Sequence, residues 1–234
     1  MGNGGPGMNS SSTDGTPSEA TEPATESMAP PYWDEACRHL MRKDRILRRI
    51  IPEHPGLFLQ SRGDAFGTLA RSIVGQQIST SAAQTVWKRF IALPGNASPS
   101  PASIQELPAD AMRAAGLSGR KVEYLQSLCT HFEDGSLHVQ EWAAWPDEAI
   151  IKELIAVRGI GRWTAEMFLM FHLLRPNVLP LDDAGLIQGI SRNYFSGEPV
   201  SRIDAREVAQ AWKPWRSVAT WYIWRSLAPQ PQNY

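Results

Sequence analysis

From Tyr32 onward apolar residues recur at three- and four-residue spacing, and no alternating run is long enough to read as a strand. Asp34 is placed to cap a first helix running to Ile51, with Cys37, Leu40, Met41, Ile46 and Leu47 near one face; Pro52 and Pro55-Gly56 end it. Phe66–Gly75 carries Phe66, Leu69, Ala70 and Ile73 at helical spacing, and Ser79 caps a helix from Thr80 to about Leu93. After a turn-rich connector at Pro94–Pro101, short helices are predicted at Ser103–Glu106 and Ala109–Ala115. Longer ones follow at Gly119–Phe132, capped by Ser118, and at Glu148–Val157, opened by Pro146-Asp147. The remaining helices are expected at Arg162–Leu173, from Asp182-Asp183 onward, at Ala205–Trp212 and at Trp215–Leu227.

That string of short-linked helices predicts an all-α fold of 203 residues, enough for one sizeable core or two small helical lobes sharing a cleft. Residues 1–31 differ from the rest. They hold 5 Gly, 5 Pro, 5 Ser and 4 Thr, no Lys or Arg, and the acids Asp14, Glu19, Glu22 and Glu26. Such a composition buries too little apolar surface to offset its ordering entropy, so a disordered tail is expected, with the folded domain spanning 32–234. The tail lacks the basic start and apolar run of a secretory signal and the arginines of a mitochondrial presequence.

Charge changes the picture slightly. Leaving the tail acids aside, 23 basic residues stand against 20 acidic ones, a mild positive balance compatible with a nucleic-acid partner. Two cysteines, Cys37 and Cys129, exclude a disulfide framework, a zinc finger and an iron–sulfur cluster. No apolar stretch reaches membrane-spanning length. The expectation is a soluble protein of a reducing compartment, cytoplasmic and nucleoid-associated in a bacterium or nuclear in a eukaryote.

The candidate chemistry centres on Leu154–Glu166, where Gly159-Ile160-Gly161 joins two helical patterns. Glycine tolerates the torsions of a tight hairpin and lets a bulky partner approach the backbone. The next helix begins with free N–H groups whose dipole suits a phosphate oxygen, and Thr164 is placed to add a hydroxyl. A Gly-terminated helix followed by another helix would show the same bare Gly-x-Gly. Asp182 and Asp183 follow Leu179-Pro180-Leu181 and precede a helix. Aspartates cap helix N-termini, and a pair allows one to cap while the other faces a cleft. Gln76-Gln77 breaks an apolar run before the Ser79 cap, as solvated loop residues do. Of the nine tryptophans, Trp212, Trp215 and Trp221 read as core.

Taken together, four stretches carry a resemblance. These are Leu-x-x-Val-x-Gly-Ile-Gly-x-Trp-Thr-Ala-Glu (154–166) with Leu181-Asp182-Asp183; Phe66–Ser79; Leu117–Val122; and Trp212–Ser217 with Trp224. The chain resembles the helix–hairpin–helix DNA glycosylases, most closely their 3-methyladenine DNA glycosylase II branch, over nearly all of Tyr32–Leu227. The longer bacterial members carry an N-terminal β domain that this chain is too short to hold.

The resemblance implies a base excision repair enzyme, a hydrolase that flips alkylated purines out of double-stranded DNA and cuts the N-glycosidic bond. It makes Asp183 the catalytic carboxylate and leaves capping to Asp182. It places Trp163 and Trp224 against the extrahelical base, with Met167, one helical turn beyond Trp163, either lining that wall or filling core. Gln77 would fill the gap left by the flipped nucleotide, and Gly159, Gly161 and Thr164 would hold the DNA backbone. No cofactor is implied for catalysis. A structural Na⁺ or K⁺ is implied at the main-chain carbonyls of Ile155, Val157 and Ile160. Relatives that also cut the strand use a hairpin lysine; Trp163 stands there, and an indole cannot serve as that amine, so base removal without strand cleavage is expected, by a monomer. The competing readings are a glycosylase for deaminated or oxidised purines and a non-catalytic hairpin module.

Overall fold

The structure, a computed structural model, describes Met1 and residues 29–61, 63–95 and 99–227. Most of the expected tail, and the last seven residues of the expected domain, lie outside these. Ala29 and Pro30 do not belong with the tail: Ala29 packs on the core, and the Pro30 carbonyl accepts from the Trp33 amide at 2.8 Å. Among the described residues there are twelve α-helices, one short 3-10 turn and no strand, as the apolar spacing predicts. None of the helices is long and apolar enough to cross a membrane.

The first expected helix is two, α1 (Trp33–Lys43) and α2 (Arg45–Ile50), broken at the extended residue Asp44. Asp34 lies in the first turn of α1 and caps nothing. Asp44 makes the break because its carboxylate outcompetes helix continuation: Oδ1 accepts from the amides of Ile46 and Leu47. Its Oδ2 accepts from the Tyr194 hydroxyl at 2.7 Å and the Trp212 indole at 3.0 Å, tying this corner to the C-terminal half. The periodicity of 34–51 could not show this, because the apolar stripe continues across the kink.

The next five helices form one lobe: α3 (Ala65–Gly75), α4 (Thr80–Ile91), α5 (Pro101–Gln105), α6 (Ala109–Ala114) and α7 (Gly119–Glu133). Ser79 and Ser118 cap α4 and α7 as the sequence predicts. α5 starts two residues earlier than expected, since Ser100 and Ser103 form a reciprocal capping box. α8 (Asp147–Leu154) and α9 (Arg162–Phe171) form the hairpin. The second lobe joins α1 and α2 to α10 (Ala184–Tyr194), α11 (Arg202–Val208) and α12 (Arg216–Arg225). α11 lies upstream of the predicted 205–212, because Ser201 and Asp204 make a second capping box. Thr164–Phe171 of α9 is buried throughout, as befits a helix between two layers.

Candidate active site

Asp183 is the N-cap of α10. Its Oδ1 accepts from the Leu186 amide at 2.6 Å and from the Trp224 indole N–H at 2.8 Å, and its Oδ2 accepts from the Trp163 indole N–H at 2.9 Å. Three donors on three different elements therefore fix a carboxyl group that is only 5% exposed. This corrects the expected division of labour. Asp183 both caps and faces the indoles, whereas Asp182 pairs with Arg202 at the surface. One side chain can do both because a carboxylate has two oxygens with two lone pairs each: Oδ1 takes the cap and the Trp224 indole, and Oδ2 takes the Trp163 indole.

Glycines bring the α12 donor into place. A methyl group on Gly185 would stand 3.3 Å from Cδ1 and Nε1 of Trp224, and one on Gly189 would be 2.3 Å from Cγ2 of Ile223. One turn apart on α10, these two positions let α12 approach closely enough for Trp224 to reach Asp183. The small residues at 185 and 189 were a readable signal for that contact, once α12 is known to lie against α10.

A cavity of about 710 Å³ opens between α3, the α3–α4 loop, α4 and α9. This is within the ~300–1,000 Å³ typical of small-ligand pockets. Trp163, Met167, Phe168 and Phe171 form its apolar wall; Thr68, Arg71 and Ser72 of α3 and its N-cap Asp64 also line it. Trp163 and Met167 both line this cavity. Trp224 is not among the residues lining it; it is buried, stacked on Phe171 at 6.0 Å with planes 8° apart, and its indole N–H donates to Asp183. The indole of Trp163 is the link, lining the cavity with one side while its N–H holds Asp183. Trp212 and Trp221 are core, and Trp215 stacks on Tyr32.

In the hairpin Gly159 has φ of 91°, and a methyl group there would sit 2.2 Å from Cγ of Tyr124. Only glycine meets both demands. The N-cap of α9 is Gly161, which offers no side-chain cap, so the first amides of the helix are left for an outside acceptor. Thr164 is a correction: it is 5% exposed and lines the cavity, which leaves any phosphate contact at the hairpin to the main chain. Arg162 is committed elsewhere, forked on Glu148 and bonded through Nε to Glu166 at 3.0 Å. Gln77 is exposed at the cavity rim, with φ of 57°.

Glu166 was not singled out by the sequence. It is buried, its Oε1 accepts from Arg162, and its Oε2 has no partner among the described residues. Burial pushes its carboxyl from the ordinary 4.5 up to about 7, against the pull of Arg162. The folded state therefore holds the proton more tightly than the unfolded one, and stability falls as pH rises from about 4.5 to 7. Glu166→Gln should flatten that part of the stability–pH curve in urea unfolding; unchanged slopes would mean that this carboxyl ionises normally.

An all-helical two-lobe fold, a Gly-x-Gly hairpin beside an aromatic-walled cavity and an aspartate opening the following helix define the helix–hairpin–helix class. Residues 70–216 match the HhH-GPD superfamily of base excision DNA repair proteins, and the chain belongs to that family. Over 184 residues it is 30% identical to Schizosaccharomyces pombe DNA-3-methyladenine glycosylase 1, covering 78% of this chain and 80% of the relative. The fold is similar to a crystal structure of Bacillus halodurans DNA-3-methyladenine glycosidase, with TM-score 0.76, 34% identity, and coverage of 86% of this chain and 90% of that one. It is also similar to an S. pombe 3-methyladenine DNA glycosylase in complex with abasic DNA, with TM-score 0.73, 27% identity, and coverage of 85% and 100%.

Proposed function

We propose that the protein is a monofunctional DNA glycosylase that extrudes alkylated purines of the 3-methyladenine and 7-methylguanine type from duplex DNA and hydrolyses their N-glycosidic bond. The observation that carries this reading is Asp183, held by three N–H donors and joined through Trp163 to the cavity wall. Family membership and the likeness to alkylpurine glycosylases support it.

The chemistry follows from the wall and the acid. A methylated purine is a cation, and stacking on the Trp163 indole favours it over a neutral base by about 1–2 kcal/mol when desolvated. Extrusion into the cavity leaves a gap in the stack, which Gln77 fills from the rim. Breaking the bond puts positive charge on the sugar, and the fixed Asp183 carboxylate stabilises it. The departing base carries its own charge, so no strong acid has to protonate it. Asp64, the only acid among the described lining residues, is engaged through Oδ1 in capping α3 at Gly67.

The hairpin supplies the grip. Amides at the start of α9 receive a phosphate, beside the glycines at 159 and 161. The carbonyls of Ile155 and Ile160 have no hydrogen-bond partner among the described residues, whereas Val157 already accepts from the Ile160 amide at 3.1 Å. Neutral carbonyl oxygens of this kind fit a monovalent Na⁺ or K⁺, whose charge would draw the phosphate to the hairpin. The protein is taken to act as a monomer, on DNA in a bacterial cytoplasm or a nucleus.

The direct test is incubation with methylated DNA and identification of released bases. Release of 3-methyladenine and 7-methylguanine is expected; release of hypoxanthine or oxidised purines alone would move the substrate class. Trp163 stands at the hairpin position where strand-cutting relatives carry their nucleophilic lysine, so borohydride added during turnover should trap no protein–DNA adduct, and strands should break only on alkali or heat. Adduct at stoichiometric yield would defeat the monofunctional reading.

A further inference from the structure

The α3–α4 loop holds a strained residue whose restraints reach the hairpin. Gln77 sits in the left-handed region, at φ of 57°, which is unfavourable for a residue with a side chain. Such a conformation persists where its surroundings over-determine it. Before the loop, the Lys121 ammonium donates to the Val74 carbonyl at 2.7 Å and holds the end of α3. After it, Ser79 caps α4. Within it, the Gln76 side-chain amide donates to the Gly159 carbonyl at 2.9 Å, across 83 positions of sequence. Among the described residues this is the one hydrogen bond between residues 76–79 and hairpin residues 155–161. Gly159 is a firm anchor, because its backbone lies against the ring of Tyr124.

We infer that Gln76 is a positioning residue that joins the wedge to the hairpin, so that gripping the DNA backbone and presenting Gln77 to the stack become one rigid event. The inference rests on the glycosylase reading above. Gln76 lines the cavity beside Gln77, and the role assigned to it runs through its bond to Gly159 rather than through the base or the sugar. It fixes the height and direction of Gln77 relative to the point where phosphate is held. Without its bond the loop keeps its two ends but loses its reference to the hairpin, and the cost falls on extrusion rather than on bond cleavage.

Gln76→Met preserves shape and removes the donor. The test is single-turnover excision of 7-methylguanine from a paired site and from a mispaired bubble, for wild type, Gln76→Met, Gln77→Ala and the double variant, with melting temperatures alongside. Gln76→Met should lose about tenfold on the paired site and less than about twofold in the bubble, where extrusion is already easy. The double variant should be no slower than Gln77→Ala, since Gln76 acts through Gln77. Melting temperature should hold. Equal losses on both substrates, full activity, or multiplying losses in the double variant would each overturn the inference while leaving the glycosylase reading intact. Wild-type protein releasing no base from either substrate would overturn the glycosylase reading itself.

Discussion

Asp183→Asn should lower single-turnover excision by roughly a hundredfold or more, because the charge opposite the cationic sugar contributes several kcal/mol to the transition state. The geometry makes asparagine the right probe. Asn caps helices about as well as Asp, so the bond to the Leu186 amide and the start of α10 should survive. Its oxygen can keep the two donors that meet on Oδ1, but its NH₂ then faces the Trp163 N–H, donor against donor. Part of the loss will therefore come through the aromatic wall. Trp163→Phe isolates that part, keeping a ring in the cavity while dropping the bond to Asp183. DNA binding should persist in Asp183→Asn, since the hairpin amides and Gln77 are untouched. The loss should be smaller for cationic 7-methylguanine than for neutral hypoxanthine, which leaves less readily. Asp182→Asn removes only an exposed pairing with Arg202 and should stay within about 1 kcal/mol of wild-type stability, at full activity. Full excision by Asp183→Asn, or collapse in Asp182→Asn, would dismiss the assignment.

Gly159→Ala should have the second largest effect, and on stability as well as on DNA. Two costs add. An alanine held at φ of 91° loses about 1–2 kcal/mol to backbone strain. Its methyl would also lie 2.2 Å from Cγ of Tyr124, an overlap that forces movement at a further cost of about 1–3 kcal/mol. The two can be separated by a double-mutant cycle with Tyr124→Ala, which makes room for the methyl but leaves the strain. The substitution should cost less in the Tyr124→Ala background than in wild type, with a residue of strain in both. If the backbone relaxes instead, stability is regained but the Gly159 carbonyl turns away from Gln76, and excision from paired DNA should fall. A variant as stable and as active as wild type would mean that the hairpin accepts another conformation.

Helices were legible wherever an apolar stripe and a cap coincided, as at Ser79–Ile91 and Ser118–Glu133. They were misplaced where a polar side chain redirected the backbone: Asp44 cut one predicted helix in two, and the Ser201–Asp204 box moved another upstream. Capping is local, but whether a given Asp or Ser caps or faces solvent depends on which amides are left without partners, and the apolar period carries no trace of that.

The same division runs through the site. Residue order alone determined the chemical inventory: two glycines about a hairpin, an indole just after them, an acid pair opening a helix and a glutamine pair between two helices. These are properties of side chains and of short spacings, and they do not depend on what packs against them. Only the tertiary structure decided the roles. It stacked Trp224 on Phe171, gave Asp183 both the cap and the indoles, buried Thr164, and tied Gln76 to Gly159. The bonds of Asp183 to the two indoles and of Gln76 to Gly159 need residues 20 to 83 apart in the sequence to meet at hydrogen-bond distance. That meeting is set by how closely whole helices pack, here by Gly185 and Gly189 beneath α12 and Gly159 against Tyr124, and helix packing is not written in any single segment.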